Sequence, residues 1–68
     1  MEMIGVKSSN IISIGYEKNN LYVNFNSGSY VYYNVPKVVY DEMLLAPSKG
    51  KYMWSKIRGK YDYKRIKG

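Results

Sequence analysis

Residues 21–26, Leu-Tyr-Val-Asn-Phe-Asn, alternate strictly between strongly apolar side chains and more polar ones. Successive side chains of a β-strand point to opposite faces, so this spacing predicts a strand with one apolar face. The turn-forming residues 26–29, Asn-Ser-Gly-Ser, come next, and residues 29–35 are again rich in Tyr and Val. Two such segments around a short turn predict an antiparallel hairpin, which restricts the fold more than any other feature of the chain.

The length of the hairpin loop decides which tyrosines face the core. We expect Ser27-Gly28 to be a two-residue loop, which places Phe25 opposite Tyr30. The same loop places Val23 opposite Tyr32. Tyr30 and Tyr32 then share the apolar face, and we expect them to be walls of the core. A loop one residue longer or shorter would turn every side chain of the second strand to the other face.

The opposite face of the hairpin is expected to carry the more exposed pair of tyrosines. It carries Tyr22 and Tyr33, together with Asn24, Val31 and Val35. An exposed tyrosine ring can stack on a nucleobase, so Tyr33 is a candidate stacking residue.

Two helices are predicted after the hairpin. Pro36 suits the first turn of a helix, and apolar residues then recur at helical spacing until the chain reaches Ala46-Pro47. Ser48 is an N-cap residue for a second helix that continues to about Arg58, where Gly59 ends it.

The second predicted helix carries one apolar stripe. Met53, Trp54 and Ile57 lie at positions i, i+1 and i+4 of this helix. That spacing is typical of a face turned towards the core. We therefore expect Trp54, the single tryptophan, to be a core residue rather than a ligand contact.

The remaining segments complete a small α+β domain. Residues 11–16 alternate in part and predict a strand ahead of the hairpin, joined to it by a polar turn at 17–20. Residues 61–66 alternate too, so the basic segment 59–68 is predicted to be a last short strand or an extended tail. Strands joined by short turns are antiparallel. We expect one domain over residues 1–68, an antiparallel sheet of three to four strands with two short helices packed on one face.

The composition argues against catalysis and against a metal centre. The chain has neither cysteine nor histidine and only five carboxylates, which show no metal-binding spacing. We expect a non-enzymatic protein without a metal or a cofactor. No apolar run approaches the roughly 18–20 residues that cross a bilayer. The first residues do not form a signal peptide, so we expect a cytoplasmic location and no membrane partner.

The positive charge is concentrated at one end of the chain. Residues 49–68 hold eight Lys and Arg against Asp62 alone and carry a net charge of +7, whereas residues 1–48 carry −1. Tyr61 and Tyr63 are interleaved with these cations. Basic groups bind phosphates and exposed aromatic rings stack on bases, so this segment is typical of proteins that bind single-stranded nucleic acid. A solvated tail that docks on the sheet through its tyrosines is the alternative.

Residues 48–51, Ser-Lys-Gly-Lys, are a second candidate for phosphate binding because they begin a predicted helix. They do not form a P-loop. The first glycine of that motif is missing, and Tyr52 stands where Ser or Thr would hold magnesium. A capped corner between two helices is the other interpretation.

The candidate ligand residues follow from these segments. Phosphate contacts are expected from Ser48, Lys49, Gly50, Lys51, Lys56, Arg58, Lys60, Lys64 and Arg65. Base stacking is expected from Tyr33, Tyr61 and Tyr63.

Four segments of the chain, 8–16, 28–36, 46–52 and 57–63, together resemble the KTSC domain family. The resemblance covers residues 8–66, and its most specific part is the pattern Tyr-x-Tyr-x-x-Val-Pro at 30–36. The family is named for its occurrence at the C-terminus of some lysyl-tRNA synthetases, and it includes small stand-alone proteins of bacteria and phages. The resemblance implies no catalytic residue, and it implies an RNA-binding role that rests on the synthetase fusion.

The recurring positions of the family mix core and surface roles. They are matched in this chain by Ser9, Tyr30, Tyr32, Ser48, Gly50, Tyr52, Ile57, Arg58, Tyr61 and Tyr63.

Three functions remain open from the sequence. The first is a module that binds RNA or single-stranded nucleic acid. The second is a homo-oligomer that holds a phosphorylated nucleotide, such as a cyclic nucleotide signal, in a pocket between subunits, because so small a core favours association. The third is a protein-interaction module that uses the exposed tyrosines or an unpaired strand edge.

Overall fold

The computed structural model describes residues 1–67 and shows a five-stranded antiparallel sheet with two helices on one face. The strands lie side by side in the order of the sequence. The elements are β1 Ile4–Gly5, β2 Ile11–Glu17, β3 Asn20–Phe25, β4 Gly28–Tyr32, α1 Lys37–Leu45, α2 Lys49–Tyr52, a π-helical turn Met53–Ile57 that continues α2, and β5 Tyr63–Lys67. The predicted α+β class is confirmed.

The sheet contains a strand that the sequence did not reveal. β1 pairs along the outer edge of β2, with Ile4 opposite Ile14 and Gly5 opposite Ser13. A two-residue strand is too short to show period-2 alternation. At the other edge, β5 pairs with β4, so the predicted last strand is a strand and not a loose tail.

The turn between β2 and β3 is tight and polar, as expected. Lys18 and Asn19 both have positive φ, 51° and 67°. Positive φ at both central residues is the mark of a type I′ turn, whose twist matches that of the strands on either side. The turn brings Glu17 opposite Asn20 and so aligns the two strands.

The hairpin of β3 and β4 has the predicted faces but not the predicted register. The loop is Asn26-Ser27, so Phe25 lies opposite Gly28 and Val23 opposite Tyr30. The predicted pairing of Val23 with Tyr32 is therefore wrong by two residues. Because side chains alternate with a period of two, a shift of two leaves Tyr30 on the apolar face, as predicted.

The position of Gly28 leaves no room for a side chain. Its φ is +151°, and a Cβ at this position would lie 2.6 Å from the carbonyl oxygen of Lys67 in β5. The glycine therefore lets β5 approach the start of β4, rather than forming the loop as the sequence suggested.

β4 ends earlier than predicted, and this changes the position of Val35. The strand stops at Tyr32, and Asn34 turns the chain with a φ of 56°. Val35 is then fully buried with the core residues instead of sharing the outer face with Tyr22. Its amide donates to the carbonyl of Asn19 at 2.8 Å, which holds the bend against the β2–β3 turn.

Both predicted helices are present. α1 ends before Ala46-Pro47, and Ser48 caps α2 by accepting a hydrogen bond from the amide of Lys51 at 3.3 Å. The π-helical turn was not predicted. In it the amide of Arg58 donates to the carbonyl of Met53, five residues back, at 2.8 Å. Within residues 1–67, no helix is long and apolar enough to span a membrane.

The core lies between the helices and the sheet. Its buried members come mainly from β2, β3, β4, α1 and the π-helical turn, and the fully buried ones include Leu21, Val23, Met43, Met53 and Ile57. Apolar burial of this kind is the main favourable term in folding. The rings of Tyr16 and Tyr40 stack at 5.3 Å on one side of it.

Trp54 is not part of the core, and this prediction is wrong. Met53 and Ile57 are buried, but Trp54 is 67% exposed. In the π-helical turn Met53 and Ile57 remain on one inward side. Trp54 follows Met53 directly and projects sideways to the surface.

Core packing gives a first prediction. Met43→Ala should lower the free energy of unfolding by about 2–5 kcal/mol, because the fully buried side chain leaves a cavity. Leu45→Ala on the same helix is the control. Leu45 is 84% exposed, and its replacement should change stability by less than about 0.5 kcal/mol. Urea denaturation measures both, and equal effects would contradict the position of α1.

The close approach of β5 gives a second prediction. Gly28→Ala should cost about 1–3 kcal/mol, because the new Cβ meets the Lys67 carbonyl at a positive φ. Gly50→Ala is the matched control. A Cβ at Gly50, inside α2, meets nothing within 4 Å, so this variant should be neutral or slightly stabilising. The midpoints of thermal unfolding of the two variants should shift in opposite directions, or the shift of Gly28→Ala should be clearly the larger one.

Tyr52 links the two helices. Its hydroxyl donates to Oε1 of Glu42 at 2.8 Å. Burial, reinforced by this hydrogen bond and by the negative charge of Glu42, raises the pKa of Tyr52 to about 12. An unfolded tyrosine ionises near pH 10, so the folded chain keeps this proton when the unfolded chain has lost it.

The raised pKa of Tyr52 gives a third prediction. The stabilisation of the folded state by protonated Tyr52 is complete below about pH 10, and it is lost as the pH rises towards about 12. The free energy of unfolding should therefore fall over that interval, and less steeply in Tyr52→Phe. Glu42→Gln keeps an oxygen that accepts the hydrogen bond but removes the charge, so it should give an intermediate slope. Identical slopes in all three proteins would contradict the link between α1 and α2.

Candidate functional site

Three hollows follow one side of the molecule, where α2 and its π-helical turn approach the sheet. The tyrosine pocket has a volume of about 500 Å³ and is lined by Phe25, Ser27, Tyr30, Tyr32, Arg58, Gly59 and Tyr63. The central groove has about 310 Å³ and is lined by Asn10, Ile11, Phe25, Asn26, Ser27, Gly50, Met53, Trp54 and Arg58. The corner cleft has about 300 Å³ and is lined by Lys7, Ser8, Ser9, Asn10, Pro47, Ser48, Lys49, Gly50, Lys51 and Trp54.

The hollows adjoin one another because neighbouring ones share residues. Phe25 and Arg58 line both the tyrosine pocket and the central groove. Asn10, Gly50 and Trp54 line both the central groove and the corner cleft. We call the three together the aromatic–basic groove.

The tyrosine pocket is built by the two strands at the edge of the sheet. β4 and β5 pair with Tyr32 opposite Tyr63 and Tyr30 opposite Arg65, on the face that carries the helices. The ring of Tyr63 lies 5.6 Å from that of Tyr32 and 5.9 Å from that of Tyr30. Phe25 closes the row with an edge-to-face contact to Tyr30 at 5.5 Å. These rings form one aromatic wall.

The wall is open to solvent on the side of β5. Tyr32 is 4% exposed, whereas Tyr63 is 59% exposed. Tyr30 lies between these limits and is half-buried. A ring that enters the pocket can therefore reach Tyr63 without displacing any core residue.

Arg58 stands at the border between the tyrosine pocket and the central groove. Its guanidinium carbon lies 4.0 Å from the centroid of the Trp54 ring, a close cation–π contact. The backbone of Arg58 is fixed by the π-helical turn, and Gly59 then reverses the chain with a φ of 77°. The guanidinium lies over the indole at the surface of the protein.

The charge of Arg58 reaches into the tyrosine pocket. Burial raises the pKa of the Tyr32 phenol above its ordinary value, and the nearby positive charge of Arg58 opposes that rise. The guanidinium thus acts on a hydroxyl in the pocket while it stacks on a ring outside it. An anionic group at this border would meet the same charge.

The groove is positive and lacks acidic groups. Within residues 1–67, no Asp or Glu lines any of the three hollows. In the same part of the chain neither Lys51 nor Arg58 forms an ion pair with a carboxylate. Their charges are therefore available to an anionic ligand.

The corner at residues 48–51 is partly occupied by structural contacts. The Ser48 hydroxyl accepts the amide of Lys51, and Nζ of Lys49 donates to the carbonyl of Ala46 at 2.8 Å. Gly50 presents no side chain to the groove. The ammonium of Lys51 is the group of this corner that the structure leaves to solvent.

Six of the predicted ligand residues line the groove. They are Ser48, Lys49, Gly50, Lys51, Arg58 and Tyr63. Arg65 lies at its edge, where a guanidinium nitrogen donates to the carbonyl of Ser27 at 3.1 Å.

Five predicted residues lie outside the groove. Lys64 is opposite Val31, so the pleat turns it to the other face of the sheet from Tyr63. Tyr61 is half-buried and packs against the core. The remaining three, exposed or half-buried elsewhere, are Tyr33, Lys56 and Lys60.

Sequence reasoning missed the aromatic members of the groove other than Tyr63. Tyr30 and Tyr32 were expected to be core walls, and Phe25 was expected on the apolar face. All three pack in or against the core, but the same rings also line the pocket. Trp54 was expected in the core. One signal for its surface position was present in the sequence. Arg58 follows it by four residues, the spacing at which a helical cation and a ring meet.

Comparisons of the sequence and of the structure with known proteins point to the same family. The KTSC domain family matches residues 7–61 of the chain. A crystal structure of a KTSC domain protein from Yersinia pestis superposes with a TM-score of 0.92 at 35% sequence identity, and the match covers 96% of each chain.

Two curated relatives are much longer proteins. A lysine–tRNA ligase of Trichormus variabilis is 45% identical over 47 residues, and one of a Nostoc species is 43% identical over 47 residues. Each match covers 68% of this chain and 8% of the ligase. The chain therefore spans a small fraction of the length of these relatives.

Proposed function

The chain belongs to the KTSC domain family, and from that premise we propose that it is a non-enzymatic module that binds RNA or another single-stranded nucleic acid through the aromatic–basic groove. The observation that carries the proposal is the position of Arg58. It is held over Trp54, beside an aromatic pocket, in a groove that no carboxylate of the described residues lines. Cations that meet phosphates next to rings that stack on bases are what single-strand binding requires.

The charge of the chain supports a polyanionic ligand. Residues 49–68 carry a net charge of +7. Such a field raises the rate of encounter with polyanions and makes their affinity depend on salt. Lys51 and Arg58 direct part of this charge into the groove.

The names of the relatives support RNA as the proposed ligand. The two curated relatives are named as lysine–tRNA ligases, so the matching segment occurs within proteins that act on tRNA. That context favours RNA over the other ligands that carry phosphate.

A small nucleotide is a second candidate, and the tyrosine pocket favours it. Its volume of about 500 Å³ lies within the range of about 300–1,000 Å³ that is usual for small-molecule sites. This pocket is formed within one chain, so binding there does not require the shared pocket between subunits that the sequence suggested.

Charge reversal in the groove tests the proposal. Lys51→Glu and Arg58→Glu should each weaken the binding of a labelled single-stranded RNA about tenfold or more, because each places a negative charge beside a phosphate. Each should also reduce the magnitude of the slope of log affinity against log salt by about 1. Fluorescence anisotropy at several ionic strengths measures both quantities.

Lys18→Glu is the matched control for charge. Lys18 is exposed in the turn at the far end of β2 and β3, away from the strand ends that line the groove. The Lys18→Glu substitution makes the same change in net charge as the two groove variants, and it should lower the affinity for RNA only slightly. Equal losses in all three variants would show a diffuse charge effect and would overturn the groove as the binding site.

A further inference from the structure

Building on that proposed function, we further infer that the groove recognises one phosphodiester flanked by two unpaired bases. One base would enter the tyrosine pocket, the other would stack on Trp54, and Arg58 would bind the phosphate between them. The ligand class is thus a dinucleotide unit, either as part of a single strand or as a free molecule.

The first base site is the tyrosine pocket. Its aromatic wall ends in Tyr63, which is 59% exposed although its ring contacts both Tyr30 and Tyr32. An exposed ring held by two neighbours is a rigid stacking platform, so little conformational entropy is lost when a base binds. The volume of about 500 Å³ accommodates a base with part of its sugar.

The second base site is Trp54. This residue is 67% exposed, although the other two apolar residues of the same π-helical turn, Met53 and Ile57, are buried. Arg58 covers one face of the indole, while the ring also lines the corner cleft on the far side of the central groove. Exposed tryptophans are a feature of binding surfaces, because a large apolar ring gains most from being covered.

Arg58 is the link between the two sites. It lines the tyrosine pocket and the central groove, and its guanidinium carbon lies over the indole, 4.0 Å from the ring centroid. Stacking uses the face of a guanidinium and leaves its N–H groups pointing outward in the plane, where a phosphate can accept two of them.

The order of groups along the groove matches the order within a dinucleotide. The protein offers an aromatic platform, a cation and a second aromatic platform. A dinucleotide offers a base, an anion and a second base. A mononucleotide would fill only one platform. A duplex keeps its bases stacked on one another, so they cannot enter the pocket.

The decisive ligands are dinucleotides that differ only in the linkage that joins their two nucleosides. Isothermal titration calorimetry would compare a diuridine phosphodiester with its uncharged methylphosphonate analogue and with uridine monophosphate. The phosphodiester should bind at least about tenfold more tightly than the analogue. Arg58→Gln should remove this difference, because it loses the charge that distinguishes the two links.

Two aromatic variants test the platforms. Tyr63→Leu and Trp54→Leu should each weaken diuridine binding by about 5- to 150-fold, the range for loss of one stacked base. Tyr22→Leu is the control, since Tyr22 is half-buried on the opposite face of the sheet, and its variant should bind as the wild type does. Thermal unfolding verifies that all three variants are folded.

The outcomes separate this inference from the function on which it rests. In the first outcome, a long single-stranded RNA binds, but diuridine and its methylphosphonate analogue bind equally well, or neither aromatic variant has an effect. The dinucleotide site is then overturned and the RNA-binding function stands. If neither RNA nor dinucleotide binds, both are overturned. If affinity rises with strand length, the unit belongs to a single strand. If a free dinucleotide binds as tightly as a long strand, the unit is the free molecule.

Discussion

The pairing of β4 between β3 and β5 is the constraint on which the rest of the structure depends. Through β3 it places Tyr30 beside Val23 and so fixes the face that the helices cover. Through β5 it places Tyr63 beside Tyr32 and so builds the aromatic wall. The pairing with β5 requires a close approach at Gly28, the residue that has no Cβ to keep Lys67 away. Fold and groove therefore share one short strand, and the same register that closes the core also lines the pocket.

The sequence predicted the parts of this arrangement that depend on periodicity. Alternation at 21–26 identified the apolar face, and the Ser48 cap identified the start of α2. The register of β3 with β4 was wrong because Asn26-Ser27 and Ser27-Gly28 are both acceptable two-residue loops. The two loops differ by two residues in pairing, so alternation cannot distinguish them. β1 and the bend at Asn34 depend on tertiary contacts that leave no periodic signal.

The candidate site was predictable in its charge and in the ring of Tyr63, but not in its other rings. The cations of residues 49–58 were identified from their number alone. Trp54 was assigned to the core because an α-helix brings i, i+1 and i+4 to one broad face. The π-helical turn changes that geometry, and no residue preference in the sequence announces such a turn. Tyr30 and Tyr32 were assigned to packing, which is correct but incomplete, because a ring can wall a core with one side and a pocket with the other.

The dual use of these rings links occupancy of the pocket to the stability of the whole chain. The pocket is in effect a gap in the covering of the core, and it exists only while β4, β5 and the π-helical turn are folded together. Any molecule that fills it binds the native state and not the unfolded one, so it raises the free energy of unfolding by mass action. In a chain of 68 residues, where the core is small, a ligand at this position acts as a replaceable piece of the hydrophobic interior.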